Sequence, residues 1–564
     1  MPVQPAPSNR LFVRINGEAR NQGRFVLYWM QIHRRLNHNH ALQHAAHLAE
    51  SLDLPLLVYE GLRPDYPHAS FRFHSFILDG MAEHWQHFEK TGGLLFPSDL
   101  SDRAGSDIKS AVQAMKALPG AAHYLPFVAI DAEEAKGFLA NLCKHAAAVV
   151  SDEFPAFIVP GQNRALMRQL QEGAGLPQGD GPPPFVTVDA NGIIPLQETQ
   201  SDPYSAYIFR KTLQKKFARC FADFPEENPI RSRKKKYPLS LPDLDLPRLF
   251  LTPLLRSHTM LRRWSRFSLS SDVESRGAIR ASEGPANPEE RREALSGFGL
   301  DDQVGILSIS GSSAAARAQS MHFIEQMHRY PEQRNHPDAG ATSGLSPYLH
   351  FGKISIHEVV RDILGKYDLE DRCRALVYNN GSRGFFPGPP EVDAFLDEAL
   401  TWRETGYHFC HHRTDFDKYE SLPDWALRTL KEHQKDKREH LYDLSQLESA
   451  STYDEIWNAA QRELMQAGRI HNYLRMLWGK KILEWSKSPK QALETALHLN
   501  NKYSIDGRNP NSYSGVFWIF GRFDRPWQER DVFGKIRYMS SEQTRKKVRL
   551  KEYLERFGNQ GTLL

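Results

Sequence analysis

Residues 341 to 358 read ATSGLSPYLHFGKISIHE. Thr342, Ser343, Gly344 and Ser346 offer hydroxyls and backbone N–H groups ahead of a helix capped by Ser355, with Glu358 three residues on. Such a loop can hold an anion, and the same small residues with Gly and Pro also make an ordinary turn; both readings stand at this point. A second stretch, RIHNYLRMLWGKKILEW from Arg469 to Trp485, sets Trp478 and Trp485 seven residues apart with Arg475 one turn before the first. On a helix rising ~1.5 Å per residue the indoles share one side, about 10 Å apart. Indoles at helical spacing make a packed core. Yet seven of the ten tryptophans (Trp402, Trp425, Trp457, Trp478, Trp485, Trp518, Trp527) fall between 402 and 527, so that region has a particular use for them.

Other chemistries find less support. No G-x-G-x-x-G follows the first apolar run and no G-x-x-x-x-G-K-[ST] occurs, which disfavours a nicotinamide or ATP enzyme. His33, His38, His40, His44 and His47 gather around one helix without cysteine or carboxylate partners, and are read as surface histidines. HFCHH at 408 to 412 places adjacent side chains around a helix and not toward one ion, so no metal is expected. The four cysteines, Cys143, Cys220, Cys373 and Cys410, are scattered, with no C-x-x-C pair and no signal peptide before them. This argues for reduced thiols in a cytoplasmic compartment and against an iron–sulfur cluster. No apolar run reaches the ~18 residues of a membrane span. Lys+Arg 72 against Asp+Glu 68 gives +4, which neither demands nor excludes nucleic acid. The basic runs RSRKKK (231 to 236) and TRKKVRLK (544 to 551) read as solvated segments.

The elements that must position these residues follow from periodicity. Residues 1 to 21 are expected to be a flexible arm. From 22 to 200, apolar runs RFVLYWM, PLLVYEG, YLPFVAI, AAVVSDE and PFVTVDANG alternate with helical patterns at 40 to 52, 72 to 91, 107 to 118, 132 to 146 and 161 to 172. That alternation predicts a doubly wound α/β domain of about five parallel strands. Residues 201 to 310, rich in Pro, Ser and charge, read as a partly irregular interdomain linker with one short helix. From 311 to 564 the pattern is all-α, with helices over 311 to 329, 355 to 366, 391 to 410, 423 to 434, 454 to 467, 470 to 487 and 489 to 500.

The stretches TSGLSPYLHFG, LTWRETGYHF, IWNAAQRELMQAGRIHNYLRMLWGKKILEW, HLNNKYSIDGRNPNSYSGVFW and VFGKIRYM occur in this order. Together they resemble the class II branch of the cyclobutane pyrimidine dimer DNA photolyases, and YWMQIHRRLNHNHAL resembles that branch's first strand and helix. The resemblance is dense from 320 to 545, looser over the α/β domain, and skips about 225 to 310. It implies a lyase that uses light to pass an electron from reduced FAD to a pyrimidine dimer. The helical domain would hold FAD, and the α/β domain would be of the type that carries a second, antenna chromophore of deazaflavin or folate type. The implied partner is UV-damaged DNA, bound by a monomer with no protein partner and no membrane.

The resemblance also carries residue roles. Tyr330 and the loop Thr342, Ser343, Gly344, Leu345 and Ser346 would hold the cofactor, Arg475 would pair with Asp506 beside its ring, and Asn500 would face its reactive nitrogen. Trp478, Trp485 and Trp457 would relay electrons, entering from Trp457 or solvent by way of Trp485. Glu404, Met476, Trp518, Arg525 and Trp527 would meet the DNA lesion, and His408 would offer it an aromatic. Leu477 stands where many relatives carry tyrosine. RFDRPW is one residue shorter than the usual loop, and the 225 to 310 segment is longer than typical. The other readings of the same scaffold are a cryptochrome-like photoreceptor without repair, a six-four photoproduct photolyase and a DNA-binding protein without flavin; Glu404 and Trp518 weigh against the first, the lack of a histidine pair against the second, and Arg475, Asn500 and Asp506 against the third.

Overall fold

The structure, a computed structural model, describes residues 2–95, 118–173, 181–233, 235–268 and 288–558. The helix expected over 107 to 118 falls outside these residues up to 117. The chain forms two compact units, the first of Met1–Gln197, Asp223–Ala318 and Tyr348–Val359, the second of Glu198–Ala222, Gln319–Pro347 and Val360–Leu564. These boundaries differ from the expected ones near 200 and 310: the chain passes between the units several times, which a linear reading of composition does not register.

In the first unit the strands are β1 (Leu11–Ile15), β2 (Phe25–Met30), β3 (Leu56–Leu62), β4 (Leu118–Gly120), β5 (His123–Val128), β6 (Ala146–Glu153), β7 (Phe185–Asp189) and β8 (Tyr237–Leu239). Six of them form a sheet in the order β1-β7-β6-β2-β3-β5, while β4 and β8 make a separate antiparallel pair. All pairings in the large sheet are parallel except β1 on β7. β2, β3 and β6 are apolar along most of their length because both faces are covered. Strand order reverses between β2 and β6. At that point Asp152 accepts the backbone N–H groups of Gln31, Ile32 and His33 at 2.9, 2.7 and 2.9 Å and so fixes the turn after β2. At the end of β3, buried Glu60 is held by Arg34 (2.8 Å), His84 (2.9 Å) and the Tyr124 hydroxyl (2.7 Å). Burial alone would push its carboxyl up, but His84 and Arg34 hold it far below the usual carboxylate range.

Three expectations change here. Residues 11 to 15 are not a flexible arm but the edge strand β1, and the buried Arg10 guanidinium donates to the carbonyls of Asp189, Gly192 and Ile193 at 3.2, 3.1 and 2.9 Å. His33, His38, His40 and His44 are buried and not surface residues. The helix His40–Ser51, capped by Asn39, packs on the sheet, and the N-terminal segment is tied to it through Val3, whose N–H donates to Glu50 at 2.9 Å and whose carbonyl meets His47 at 2.8 Å. The expected linker contains the helices Ala206–Ala222, Leu251–Ser268 and Pro288–Leu295. In Leu251–Ser268 the residues Leu254, Leu261 and Trp264 recur at helical spacing and are fully buried, and the helix packs on Phe71–Thr91; flanking Pro and Ser had hidden the pattern.

One carboxylate pins three of these segments. Asp79, fully buried in Phe71–Thr91, pairs with Arg291 at 2.8 Å, takes the Trp264 indole N–H at 2.9 Å and takes the Gly311 N–H at 2.8 Å. A side chain at Gly311 would run into the Phe76 carbonyl, so glycine is required for that approach. Asp79→Ala should therefore cost about 3–5 kcal/mol by leaving Arg291 buried without its partner. Equilibrium denaturation of parent and variant measures it, and equal midpoints would show that the network adds nothing.

The second unit is helical. Helix Glu455–Ala467 is started by Asp454, whose carboxylate accepts the Trp457 N–H at 3.1 Å, and ends at Gly468 with φ of +66°. Asn472–Trp485 packs on that helix and on Pro489–Tyr503, and Arg403–His412 packs on Pro510–Ile519. Among the described residues no helix is long and apolar enough to cross a membrane.

Candidate active site

The three indoles come together inside the second unit. Trp457, Trp478 and Trp485 are among its largest fully buried side chains. The Trp457 indole N–H donates to the Trp478 carbonyl at 2.9 Å, and its ring lies 5.5 Å from that of Trp485 at 68°. The Trp478 indole donates to Gln461 at 2.9 Å. Trp457 thus bridges Trp478 and Trp485 instead of lying outermost, because the neighbouring helix inserts it between residues two turns apart. Beyond Trp485 the rings of Tyr442 and Tyr453 follow at 5.2 and 5.6 Å, and Tyr453 is 57% exposed.

On the same helix as Trp478, the Arg475 guanidinium is half-buried and reaches the Ile470 carbonyl at 3.4 Å. Among the described residues it forms no ion pair with Asp506, contrary to expectation: Asp506 takes the Ser504 hydroxyl at 2.6 Å, a partner only two residues back in the same turn. Asn500, near the end of Pro489–Tyr503, directs its amide N–H groups to the Gly507 carbonyl (3.1 Å) and the Ser512 hydroxyl (2.9 Å). That leaves its oxygen as the atom able to accept a proton donor. Tyr330 packs edge-on to Phe323 and Phe395 at 5.6 and 5.5 Å, with Arg334 5.2 Å over its ring. In the loop 342–346, Gly344 has φ of +67°, Gln319 donates to the Ser343 carbonyl at 2.8 Å, and Leu345 is buried beneath the exposed Thr342 and Ser346. Ser355 accepts the His357 N–H at 3.2 Å, but Glu358 pairs with Arg317 at 2.6 Å and does not complete a capping box.

Glu404 is buried two residues beyond a π-helical stretch, Asp397–Trp402, whose wide turn resets which residues face inward. His408 is also buried: Nδ1 lies 2.7 Å from the Thr199 hydroxyl, which also meets His412 at 2.8 Å, and its ring packs on Phe209 at 4.8 Å. The ring is held among these groups and is not offered as a free aromatic face. Met476 and Trp518 are half-buried. The Trp518 ring has Lys480 at 5.0 Å and Arg537 at 5.3 Å. Arg525 and Trp527 lie on a loop in which Arg537 pairs with Asp524 at 2.8 and 3.0 Å and stands 4.0 Å over the Trp527 ring.

Sequence reasoning passed over Gln461, Arg537 and Lys480. The last had a signal, a lysine pair inside the apolar run MLWGKKILEW. Lys480 is fully buried, its amine donates to the Ile519 carbonyl, and burial pulls its pKa down to about 7.

A scan against models of protein families matches none. Among known proteins, the deoxyribodipyrimidine photo-lyase of Methanothermobacter thermautotrophicus is 31% identical over 545 residues, covering 96% of each chain. Those of Oryza sativa subsp. japonica and Arabidopsis thaliana are 31% and 30% identical over 94% of this chain and 86% and 88% of theirs. Among solved structures, a bacterial class III photolyase from Agrobacterium tumefaciens matches with a TM-score of 0.56 over 96% of this chain and 87% of that one, at 15% identity, a likeness of fold. With relatives at this identity aligned along nearly their whole length, the chain belongs to the deoxyribodipyrimidine photo-lyase family.

Proposed function

We infer that the protein splits cyclobutane pyrimidine dimers in DNA, driven by light, using an electron from bound reduced FAD. The observation that carries this is the match to deoxyribodipyrimidine photo-lyases over 96% of both chains. The residues fit the cofactor: hydroxyls and N–H groups in 342–346 suit a diphosphate, Arg475 keeps its guanidinium almost free of protein acceptors, and the Asn500 oxygen suits an N–H donor. When bound, FAD supplies the light-absorbing electron donor. Arg475 would favour negative charge at that donor, and Asn500 and Tyr330 would help to hold it, with Asp506 fixing the adjoining turn through Ser504. Trp485, Trp457 and Trp478 would serve as the chain of oxidisable side chains leading to it.

On the substrate side, a damaged pyrimidine pair leaves the stack at lower cost than an intact one and enters a pocket formed by Glu404, Met476 and Trp518, with Arg525 and Trp527 at its rim. Glu404 and Trp518 disfavour a purely signalling photoreceptor, which has no need of such groups. The partner is UV-damaged DNA, met by a monomer in the cytoplasm, and the first unit is the place for a deazaflavin or folate antenna.

Two measurements test this. The purified protein should carry flavin absorption, with a further strong band if an antenna is present, and should remove dimers from irradiated duplex in light and not in darkness. A colourless protein that cannot be reconstituted with FAD would sink the reading. Glu404→Ala should lower the preference for dimer-containing over intact duplex about tenfold, the worth of one buried hydrogen bond to a charged group. The salt dependence of binding should stay the same, because phosphate contacts set it. A changed slope with intact preference would move Glu404 out of the pocket.

A further inference from the structure

The loop that carries Arg525 and Trp527 is fastened to the rest of the second unit at its far side. The Lys535 N–H donates to the Thr429 hydroxyl at 3.0 Å, and the Val532 N–H donates to Asp436 at 2.9 Å. Gly534, with φ of +51°, sits so close to Thr429 and His433 that an added Cβ would stand 2.1 Å from the Thr429 hydroxyl and 2.7 Å from the imidazole. Val532 itself is held at φ of +66°, a conformation costly for a β-branched residue and kept only by surrounding bonds. The loop closes on itself through Arg530 N–H to Gly534 carbonyl (3.0 Å), the reverse bond (2.7 Å) and Trp527 N–H to Lys535 carbonyl (2.9 Å).

Between anchor and loop stands His433, just after helix Asp424–Glu432. Nδ1 lies 2.6 Å from Asp436 and Nε2 lies 3.2 Å from Glu529, a residue of the loop. Only the doubly protonated ring donates to both carboxylates at once. We propose that His433, as the imidazolium, is a positioning residue that clamps the loop bearing Arg525 and Trp527 into the shape presented to DNA; its link to DNA rests on the function inferred above.

The charges around it agree. Asp436 and Glu529 face the ring, Lys535 lies 3.7 Å from Glu529, and Arg438 acts on Asp436. The loop's other cations are turned elsewhere, Arg525 over Trp527, Arg530 over Tyr538 and Arg537 onto Asp524. The bond to Asp436, and then that to Glu529, raise the His433 pKa against the opposing effect of burial. A raised pKa means the clamp is complete at low pH and is lost as pH rises through that raised value.

The test is hydrogen exchange of the peptide spanning 524 to 537 in the flavin-loaded protein, corrected for intrinsic rates, at pH 6 and pH 9. Parent protein should exchange about tenfold faster at pH 9 than at pH 6, H433Q fast at both, and H433R slow at both, since arginine keeps charge and two donors. Preference for dimer-containing duplex should follow the same order. Equal exchange in H433Q and parent, or no pH response in the parent, would overturn the clamp. If H433Q does not fold, parent and H433R still decide the matter. If the parent never prefers dimer-containing DNA, the inferred function fails while exchange alone still judges the clamp.

Discussion

Trp457→Phe leaves a folded, flavin-loaded protein whose flavin is no longer reduced by light in the presence of an external reductant. Phenylalanine is far harder to oxidise than tryptophan, and Trp457 both bonds to the backbone of Trp478 and packs on Trp485, so removing it opens the path at its middle. Stability falls by about 1–3 kcal/mol for the lost volume, within what a stable domain tolerates, while the Trp478 carbonyl keeps its place in the helix ladder. Dimer splitting by chemically pre-reduced enzyme persists, because that cycle regains its own electron. Trp485→Phe gives the same pair of results. Normal photoreduction in either folded variant would return these indoles to an ordinary core.

Mild acid unfolds the first unit well before carboxylate protonation alone would. Burial, the largest cause in each case, depresses His33, His44 and His258 from 6.5 to about 4. Each is neutral when folded and takes up a proton more readily when unfolded. Their contribution is therefore complete above pH 6.5 and is lost as pH falls toward 4, by roughly 2 kcal/mol per histidine between pH 7 and pH 5. His258 also has a bond at stake: its Nδ1 accepts the Trp85 indole N–H at 3.0 Å and could not do so once protonated there. Circular dichroism against pH reads the transition. His44→Asn with His258→Gln, which keeps an acceptor for Trp85, should move the midpoint to lower pH, and an unmoved midpoint would refute the assignment.

How much of this was visible in the sequence depended on whether a signal was local. The parallel strands were legible because runs such as FVLYWM and AAVVSDE announce burial on both faces, and the helices of the second unit because their apolar periodicity is long. The strand Leu11–Ile15 was missed since five residues with an arginine among them carry little signal without their partner β7. The buried histidines looked like surface ones because neighbours that cover them, Phe224 and Pro225 at His38 and His357 at His40, are distant in sequence. In the site, the family motifs gave residue identities but not their mutual order. Trp457 lies between two residues of another helix, and Asp506 finds Ser504 before Arg475, outcomes that only packing decides.

The composition of the first unit from three separated stretches has a consequence for its making. Its last stretch is Tyr348–Val359, and Arg10 waits for carbonyls beginning 179 residues downstream at Asp189. During synthesis the contacts of that last stretch cannot form until it has emerged, by which time Glu198–Ala222 and Gln319–Pro347 of the other unit are already out. The pairing of β1 with β7 joins residues far apart in sequence, a long-range contact of the kind that slows folding. A fragment ending near residue 200 would not fold as the first unit, since it lacks helix Leu251–Ser268 and the Arg291 that meets Asp79.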